Sequence, residues 1–204
     1  MPRSVNNFLE DVSADLTDPG FDVWSKSSLL GFVKDGLGLL IQHVPSQFTA
    51  TTDITLVDGP TQTLPTNVIE FVRPVCNLTS GTTPGRTIRP VSMRALERSS
   101  PTWRTATPAA VTRQIAYDPG TPDEFYVIPP GVAGEVIRIE AIVEPEDLDI
   151  DDNLPIDSRY TAALHSYVLF RAYSRDDDYA NAGKATQYWA AFAQQIGMDD
   201  GANQ

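Results

Sequence analysis

Residues 160–196 decide the fold, and they read YTAALHSYVLFRAYSRDDDYANAGKATQYWAAFAQQI. Apolar and aromatic residues recur in this stretch at steps of three and four, which places each set on one face of a helix. The first set is Tyr160, Ala163, Leu164, Tyr167, Val168 and Arg171, and the second is Ala185, Tyr188, Trp189, Phe192 and Ile196. The pattern predicts two amphipathic helices that fold back on each other.

The second of these helices has signals at both ends. The acidic run at 176–178 interrupts the apolar pattern, and a carboxylate there can accept the free N–H groups that open a helix. Gly197 is suited to end it. We expect Trp189 and Phe192 to be buried between the terminal helices. The hairpin is rich in Tyr, Trp and Arg, which assemblies favour at buried contacts.

Two further helices are expected near the N-terminus. Residues 5–17 form a short amphipathic segment, and Ser25 is a suitable N-cap for a second apolar face that continues to about residue 44. Gly31, Gly36 and Gly38 lie inside this second helix, although each costs about 1 kcal/mol relative to alanine. Because such glycines indicate a close helix crossing, we expect this helix to pack against the C-terminal hairpin.

The middle of the chain changes to short strands and turns. Strands are predicted at 52–57, 68–72, 111–117, 124–128 and 135–143, and one or two helical turns at 91–97. In the last strand, alternation places Ile137, Ile139, Ala141 and Val143 on one face. The fold class is therefore α+β, a helical bundle from the N- and C-terminal helices with an inserted antiparallel β domain. The expected boundaries are 1–46 for the N-terminal helices, 47–154 for the β-rich insert, 155–197 for the C-terminal hairpin and 198–204 for a flexible tail.

Length and composition are those of an ordinary globular protein. The chain has 204 residues, of which 41% are hydrophobic, so it can bury a core as one domain, or as one domain with an insertion. The lone Cys76 cannot form an internal disulfide. No apolar run is long enough to span a bilayer, and the N-terminus lacks the apolar core of a signal peptide. We expect no membrane association.

The formal net charge of −12 is unevenly distributed. Between residues 86 and 113, Glu97 is the only acid beside six arginines, which are Arg86, Arg89, Arg94, Arg98, Arg104 and Arg113. Between residues 118 and 157, Arg138 is the only base beside twelve acids. These segments could attract neighbouring copies of the chain, or they could be solvated faces that contribute only solubility. A sequence pI near 4.4 argues against a general duplex-DNA binder.

The sequence contains no convincing catalytic constellation. His43 and His165 lie on separate expected helices without a Cys or carboxylate at metal-ligand spacing, so each is better explained as structural. The G-x-S-x-G nucleophile elbow is absent. The segment from Gly31 to Gly36 is not followed by the Lys-Ser/Thr of a phosphate-binding loop.

A calcium site is also a weak interpretation. Asp147, Asp149 and Asp151 resemble the start of a calcium loop, but Asp152 and Ser158 occupy its glycine and glutamate positions. The alternative is an acidic linker whose last carboxylates cap the next helix. We expect no metal, no cofactor and no enzymatic activity.

Five segments, taken in order, carry a family resemblance. They are WSKSSLLGFVKDG at 24–36, QTLP at 62–65, PTW at 101–103, FYVIPP at 125–130 and YVLFRAY at 167–173. Together they resemble the head-to-tail adaptor family of short-tailed bacteriophages, the group that includes tail tubular protein A. The likeness covers about 9–197, and the ordered set carries it, since no single motif is specific. Departures are the glycines at 36 and 38 and the short polar tail.

The resemblance implies a structural virion protein that forms a homo-oligomeric ring of twelve copies. Such a ring would lie at the portal vertex, the head–tail interface, between the portal protein and the tail tube or nozzle protein. Tail fibres are a further candidate partner. DNA would pass through the channel without specific binding, and assembly would take place in the host bacterial cytoplasm.

In such a ring the basic segment would meet the acidic segment of the next copy, because a heterologous contact needs two complementary patches. Candidate subunit-interface residues are Arg86, Arg89, Arg94, Arg98, Asp147, Asp149 and Asp151. An acidic lining would repel DNA phosphates and so ease sliding. Candidate portal-docking residues are Met198, Asp199, Asp200, Gly201, Ala202, Asn203 and Gln204, which could order on docking.

Two other functions stay open at this stage. Another virion assembly protein, for tail completion or fibre anchoring, would share the interface-rich composition without closing a ring on a portal. A tail-associated hydrolase is the third alternative. The chain has many acids for a pair of catalytic carboxylates, but nothing in the sequence selects a pair.

Overall fold

The computed structural model describes residues 3–176 and 178–198, and the chain has a mixed α+β fold. The helices in this part are α1 (Val5–Asp15), α2 (Lys26–His43), α3 (Met93–Ser99), α4 (Thr161–Tyr173) and α5 (Ala182–Ile196). The strands are β1 (Thr49–Thr55), β2 (Gly59–Thr63), β3 (Val68–Thr79), β4 (Thr83–Thr87), β5 (Arg89–Val91), β6 (Gln114–Tyr117), β7 (Glu124–Gly131) and β8 (Val136–Val143).

The fold divides into two compact units. The described residues of 1–48 and 145–204 form a helical unit with α1, α2, α4 and α5. Residues 49–144 form a β-rich unit with all eight strands and α3. The chain therefore leaves the helical unit after residue 48 and returns to it at residue 145.

Serine caps open the first two helices. The Ser4 side chain accepts a hydrogen bond from the Asn7 N–H, and the Ser25 side chain accepts one from the Ser28 N–H. The predicted cap at Ser25 is confirmed, and this helix ends at His43 as the apolar pattern indicated. Each cap satisfies one of the N–H groups that have no partner inside a helix.

The expected close packing of α2 on the hairpin is found at Gly36. A Cβ atom there would lie 2.6 Å from Leu164 Cδ1 and 2.7 Å from Tyr167 Cδ1 on α4. Gly31 and Gly38 have nothing within 4 Å of the same position, so the expectation of close approach is wrong for these two. Only one of the three glycines is required by the helix crossing.

An arginine adds a polar link between the same two helices. Arg171 on α4 donates to Asp35 Oδ2 at 2.6 Å and to the Tyr167 hydroxyl at 3.0 Å. Its guanidinium also lies over the Phe32 ring, 5.0 Å from the ring centroid. Arg171 thus belongs to the helical face on which the sequence placed it, but it contacts polar as well as aromatic groups.

The hairpin of α4 and α5 is present, but the N-cap of its second helix differs from the expected one. The first α-helical residue of α4 is Thr161, after a 3₁₀ turn at Ser158–Tyr160 whose N-cap is Asp157. The N-cap of α5 is Asn181, whose side chain accepts from the Lys184 N–H at 3.0 Å. The expected capping of α5 is therefore wrong for Asp176 and Asp178, because α5 begins several residues later. Asp177, the third residue of that acidic run, lies outside the described residues. Gly197 ends α5 with a positive φ of 71°, as expected.

Phe192 and Trp189 differ in burial. Phe192 is 0% exposed, and its ring centroid is 5.2 Å from that of Tyr167. Trp189 is only half-buried and lies beside Phe170 at a centroid distance of 5.1 Å. The expectation of a buried residue is confirmed for Phe192 and is wrong for Trp189, because the outer face of the hairpin leaves part of the indole in solvent.

The β-rich unit contains two four-stranded sheets, with strand orders β1-β8-β3-β4 and β2-β7-β6-β5. All pairs are antiparallel except β5 with β6. Ile137, Ile139 and Ala141 of β8 are fully buried, as their alternation predicted. They share one core cluster with Ile115 and Phe125 of the second sheet. The apolar faces of both sheets therefore build a single core.

Several strands lay outside the sequence prediction. β3 continues through Pro74 to Thr79, and its pairing with β8 has register shifts on both sides of this proline. Such bulges let a residue without an N–H group remain in a strand. The short strands β2, β4 and β5 were not predicted. The structure begins β6 at Gln114 rather than at residue 111.

Candidate interaction surfaces

The six arginines of the basic segment separate into two groups in the structure. Arg86 lies in β4, Arg89 in β5, and Arg113 directly before β6. Arg94 and Arg98 lie on α3, and Arg104 lies in the following 3₁₀ turn. All six are exposed. The tertiary fold, and not proximity along the chain, decides which of them face a common space.

The first group lines one groove, hereafter the arginine groove. Its walls are Arg86, Thr87, Arg89, Arg113 and Gln114, and its volume is about 470 Å³. Within residues 3–176 and 178–198, none of these three guanidinium groups has a hydrogen-bond or ion-pair partner. The groove therefore presents three uncompensated positive charges and no acidic wall.

A buried asparagine holds the backbone behind this groove. The Asn77 amide donates to the Arg86 carbonyl at 2.9 Å and to the Thr112 carbonyl at 2.8 Å, and its oxygen accepts from the Thr112 N–H at 2.8 Å. Arg89 N–H donates to the Arg113 carbonyl at 3.1 Å. The main chain at all three arginines is thus tied to neighbouring strands.

The second arginine group is arranged differently. Arg104 lies 3.5 Å from a Glu97 carboxylate oxygen and 4.4 Å from the centroid of the Trp103 ring. Arg94 and Arg98 are four residues apart on α3, on the exposed side of that short helix. The charge pattern in the sequence placed all six arginines in one basic segment. The candidate interface residues chosen from that segment did not include Arg113.

The acidic candidates lie in the segment before α4. Asp147 forms an ion pair with Lys34 of α2. The Asp149 carboxylate accepts from the Ile150 N–H at 2.7 Å, and the Asp152 carboxylate accepts from the Asp149 N–H at 2.8 Å. These bonds form a local turn in which Asp151 is exposed. The part of the chain that the structure describes contains no cluster of three acidic, His or Cys side chains placed to hold a metal ion.

Other charges of the acidic segment act inside the β-rich unit. Arg138 of β8 donates to both carboxylate oxygens of Asp53 on β1, at 2.6 and 2.8 Å. These hydrogen bonds lower the pKa of Asp53 below its ordinary value. Glu140 pairs with Arg73 across the neighbouring strands β8 and β3. These ion pairs support the register of the neighbouring strands, and their charges are compensated within the subunit.

The two histidines occupy unrelated structural positions. His165 on α4 meets the Phe8 ring edge-on at 5.9 Å, and its Nε2 lies 3.4 Å from an Asp15 carboxylate oxygen. Burial lowers the pKa of His165, and Asp15 opposes that shift. Burial therefore favours the neutral form of the side chain. His43 is the last residue of α2.

The hairpin also forms an apolar pocket that the sequence did not indicate. It has a volume of about 470 Å³, and its walls include Phe170, Tyr173, Ala185 and Trp189. Amphipathic periodicity assigned Trp189 to the core because it lies on the same helical face as Phe192. In the structure Trp189 is half-buried and lines this pocket, which the helical period does not predict.

The candidate docking tail is described only at its first residue. Met198 donates its N–H to the Ala193 carbonyl at 2.9 Å and so completes the C-terminal cap of α5. The other residues of that prediction, Asp199, Asp200, Gly201, Ala202, Asn203 and Gln204, lie outside the described residues. In the described part, none of the helices has the length and hydrophobicity needed to cross a bilayer.

Comparison with known proteins gives a family. The family model described as SU10 adaptor protein matches residues 4–204, nearly the whole chain, and so includes both the helical and the β-rich unit. A comparison with curated proteins found no match. The match agrees with the resemblance to phage head-to-tail adaptors that the ordered segments indicated. The chain belongs to the SU10 adaptor protein family, which is a family of bacteriophage structural adaptors and not of enzymes.

Proposed function

We propose that this chain forms the ring adaptor between the portal and the tail tube or nozzle of a bacteriophage. The single observation that carries the proposal is the family match over residues 4–204. The ring would contain twelve copies, lie at the portal vertex and be assembled in the host cytoplasm. Its channel would be part of the path of DNA ejection.

The division of the subunit into a helical and a β-rich unit supports this role. We propose that helices from both ends of the chain form one bundle and that the β-rich segment is inserted between them as a second module. Terminal helices in one compact unit and a segment of about half the chain in another agree with such an arrangement. Two modules in one subunit could serve different neighbours along the head–tail axis.

Opposed charges are the proposed basis of contacts between subunits. The basic side would include Arg86, Arg89, Arg94 and Arg98, and the acidic side Asp147, Asp149 and Asp151. Exposure of all seven side chains supports this assignment. A contact between two different patches closes into a ring when its rotation divides a full turn.

The charge of the chain also suits a DNA channel. A formal charge of −12 per copy would give a ring a strongly negative field. Such a field keeps phosphates away from a channel wall, so DNA would pass without specific binding. The described residues contain no metal-binding cluster, and the proposed role requires no catalysis, metal or cofactor.

Electron microscopy of the purified protein, alone and mixed with a portal, tests this function. We expect rings on the portal that then accept tail tube or nozzle protein. Tail or fibre attachment without portal rings would instead favour a tail-completion or fibre-anchoring protein. Saturable turnover of a polysaccharide, peptidoglycan or nucleotide, abolished by one carboxylate substitution, would show that the chain is an enzyme and overturn the proposal.

A further inference from the structure

We propose that the arginine groove is a preformed receptor for the acidic segment at 146–152 of a second copy of this chain. The inference rests on the proposed ring, and it narrows the basic side of the subunit contact to Arg86, Arg89 and Arg113. The last of these was not among the residues that the sequence selected.

The first argument is charge. Three exposed arginines line one groove of about 470 Å³, and none has a partner within the described residues. Elsewhere in the same unit, Arg73, Arg104 and Arg138 are each paired with a carboxylate. Like charges facing one space repel each other, so an anionic ligand there would relieve repulsion as well as gain attraction.

The second argument is preorganisation. Arg86 and Arg113 are far apart in sequence, and buried Asn77 bonds to the backbone of Arg86 and to that of Thr112, the neighbour of Arg113. Arg89 is joined to Arg113 by a main-chain hydrogen bond. Because the backbone is already fixed, binding costs mainly the side-chain freedom of three arginines. Asn77 is thus a positioning residue and does not itself contact the ligand.

The third argument concerns the ligand. Guanidinium groups bind carboxylates through paired N–H donors, which suits a peptide with several closely spaced acids. Residues 146–152, EDLDIDD, carry five carboxylates in seven residues, and all five acids are exposed. The turn formed by Asp149 and Asp152 holds this segment in one local conformation. Duplex DNA is the less favoured ligand, since the net charge of −12 opposes it.

The test uses the full-length protein and a fluorescent peptide with the sequence of residues 145–152, PEDLDIDD. Fluorescence anisotropy at low salt should show saturable binding that weakens as salt rises, because exposed charges are screened over about 10 Å at 0.1 M. The peptide PQNLNINN, which has the same shape and no carboxylates, should not bind. No saturable binding of PEDLDIDD up to about 1 mM would overturn the proposal.

Matched variants locate the site on the protein. R86Q/R89Q removes two positive charges from the groove, and R94Q/R98Q removes the same number from α3. We expect R86Q/R89Q to weaken peptide binding by about tenfold or more, and R94Q/R98Q by less than about threefold. Adding R113Q to the first variant should weaken binding further. Equal losses for the two double variants would show a diffuse charge effect and contradict a receptor groove. All variants change exposed side chains, and thermal melting verifies that each is folded.

A labelled duplex DNA provides the remaining arm. Groove-dependent binding of DNA that is tighter than binding of the peptide would overturn the choice of ligand. The peptide measurement is also independent of ring formation. Rings on the portal without peptide binding would contradict the groove and leave the proposed function standing. Groove-dependent peptide binding without rings on the portal would support the groove and contradict the proposed function.

Discussion

Gly36 is the glycine of α2 that packs closely against α4. It lies over Leu164 and Tyr167, which are 0% and 5% exposed and so have little space to move away. Gly31 and Gly38 have the same intrinsic cost in a helix but no neighbour within 4 Å of an added methyl group. Helix packing therefore requires a glycine at residue 36 of α2, and it does not require one at residues 31 and 38.

We predict that Gly36→Ala will destabilise the fold, because its methyl group would overlap buried side chains. Overpacking of this kind costs about 1–3 kcal/mol. Gly31→Ala and Gly38→Ala are matched controls and should be neutral or stabilise by about 0.5–1 kcal/mol, since alanine lowers the entropy cost of helix formation. Chemical denaturation measures all three. A Gly36→Ala protein as stable as these controls would show that the crossing is looser.

Asp18 closes the loop between α1 and α2. Its carboxylate accepts from the backbone N–H groups of Asp22, Val23 and Trp24 at 2.9, 3.0 and 2.9 Å. Burial acts to raise the pKa of Asp18, but these three hydrogen bonds outweigh it, so the pKa lies below its ordinary value. The ionised form is therefore the one that the folded loop prefers.

This predicts a specific pH dependence. Because the pKa of Asp18 is lower in the folded state, the ionised carboxylate stabilises the fold. This contribution to the free energy of unfolding is complete above the unfolded pKa of about 3.9, and it is lost as the pH falls through the folded pKa. Asp18→Asn should cost about 1.5–3 kcal/mol at pH 7. The difference between wild type and variant should shrink below about pH 4. Urea denaturation at pH 7 and at acidic pH measures it, and a difference that stays constant with pH would contradict the assignment.

At the scale of elements, the hairpin α4–α5 joins a buried inner face to a partly exposed outer face. Phe192 belongs to the inner face and contacts Tyr167. Trp189 lies one helical turn earlier and borders the apolar pocket. Both are large aromatic residues on the same predicted stripe, yet burial of one is complete and burial of the other is not.

The two aromatic residues should therefore respond differently to truncation. We expect Phe192→Ala to lower the free energy of unfolding by about 3–5 kcal/mol, the usual range for a large buried aromatic residue. Trp189→Ala should cost about 1–2 kcal/mol, because it removes mainly ring contacts with Phe170 and Phe192. Equilibrium unfolding compares them. Equal losses would mean that Trp189 is more buried than the described structure has it.

The start of α5 provides a second prediction at this scale. Asn181→Ala removes the side chain that accepts from the Lys184 N–H and should cost about 0.5–2 kcal/mol. Asp178→Ala is the control, since α5 begins four residues after it, and it should change stability by less than about 0.5 kcal/mol. Thermal unfolding compares the two. A larger loss for Asp178→Ala would restore the cap that the sequence predicted.

At the scale of the whole molecule, the helical unit contains the acidic residues 146–152 and the β-rich unit contains the arginine groove. A subunit that carries both halves of a contact on separate units can bind the next copy head to tail. The proposed ring uses this property, and the C-terminal residues are proposed as a separate docking segment for the portal.

The final prediction concerns assembly on the portal. Deleting residues 199–204 keeps Met198, which caps α5, and should leave thermal stability unchanged. We expect fewer filled rings on the portal in electron micrographs, because the proposed docking segment is absent.

Raising the salt concentration should also reduce ring filling by the wild-type chain, because salt screens the proposed contact between opposite charges. Complete rings from the truncated protein at low and high salt would contradict both the docking role and the electrostatic contact.

The sequence alone determined most of the helical elements. Helices α1, α2 and the hairpin follow from apolar periods of three and four, from Ser25 as a cap and from Gly197 as a terminator, all of which act within a few residues of the chain. The alternation in β8 likewise identified its buried face. These features are local, so they can be read without knowing which segments meet.

Only the tertiary structure decided the rest. β4 and β5 are short and exposed, and they exist because β3 and β6 supply their hydrogen-bond partners. Arg113 joins Arg86 and Arg89 because Asn77 and the β5–β6 pairing bring distant segments together. Trp189 is only half-buried, which the sequence could not show because a helical period places a residue on a face but does not contain the neighbours that would cover it. Contacts between residues far apart in sequence have no local pattern, and the candidate site is made of such contacts.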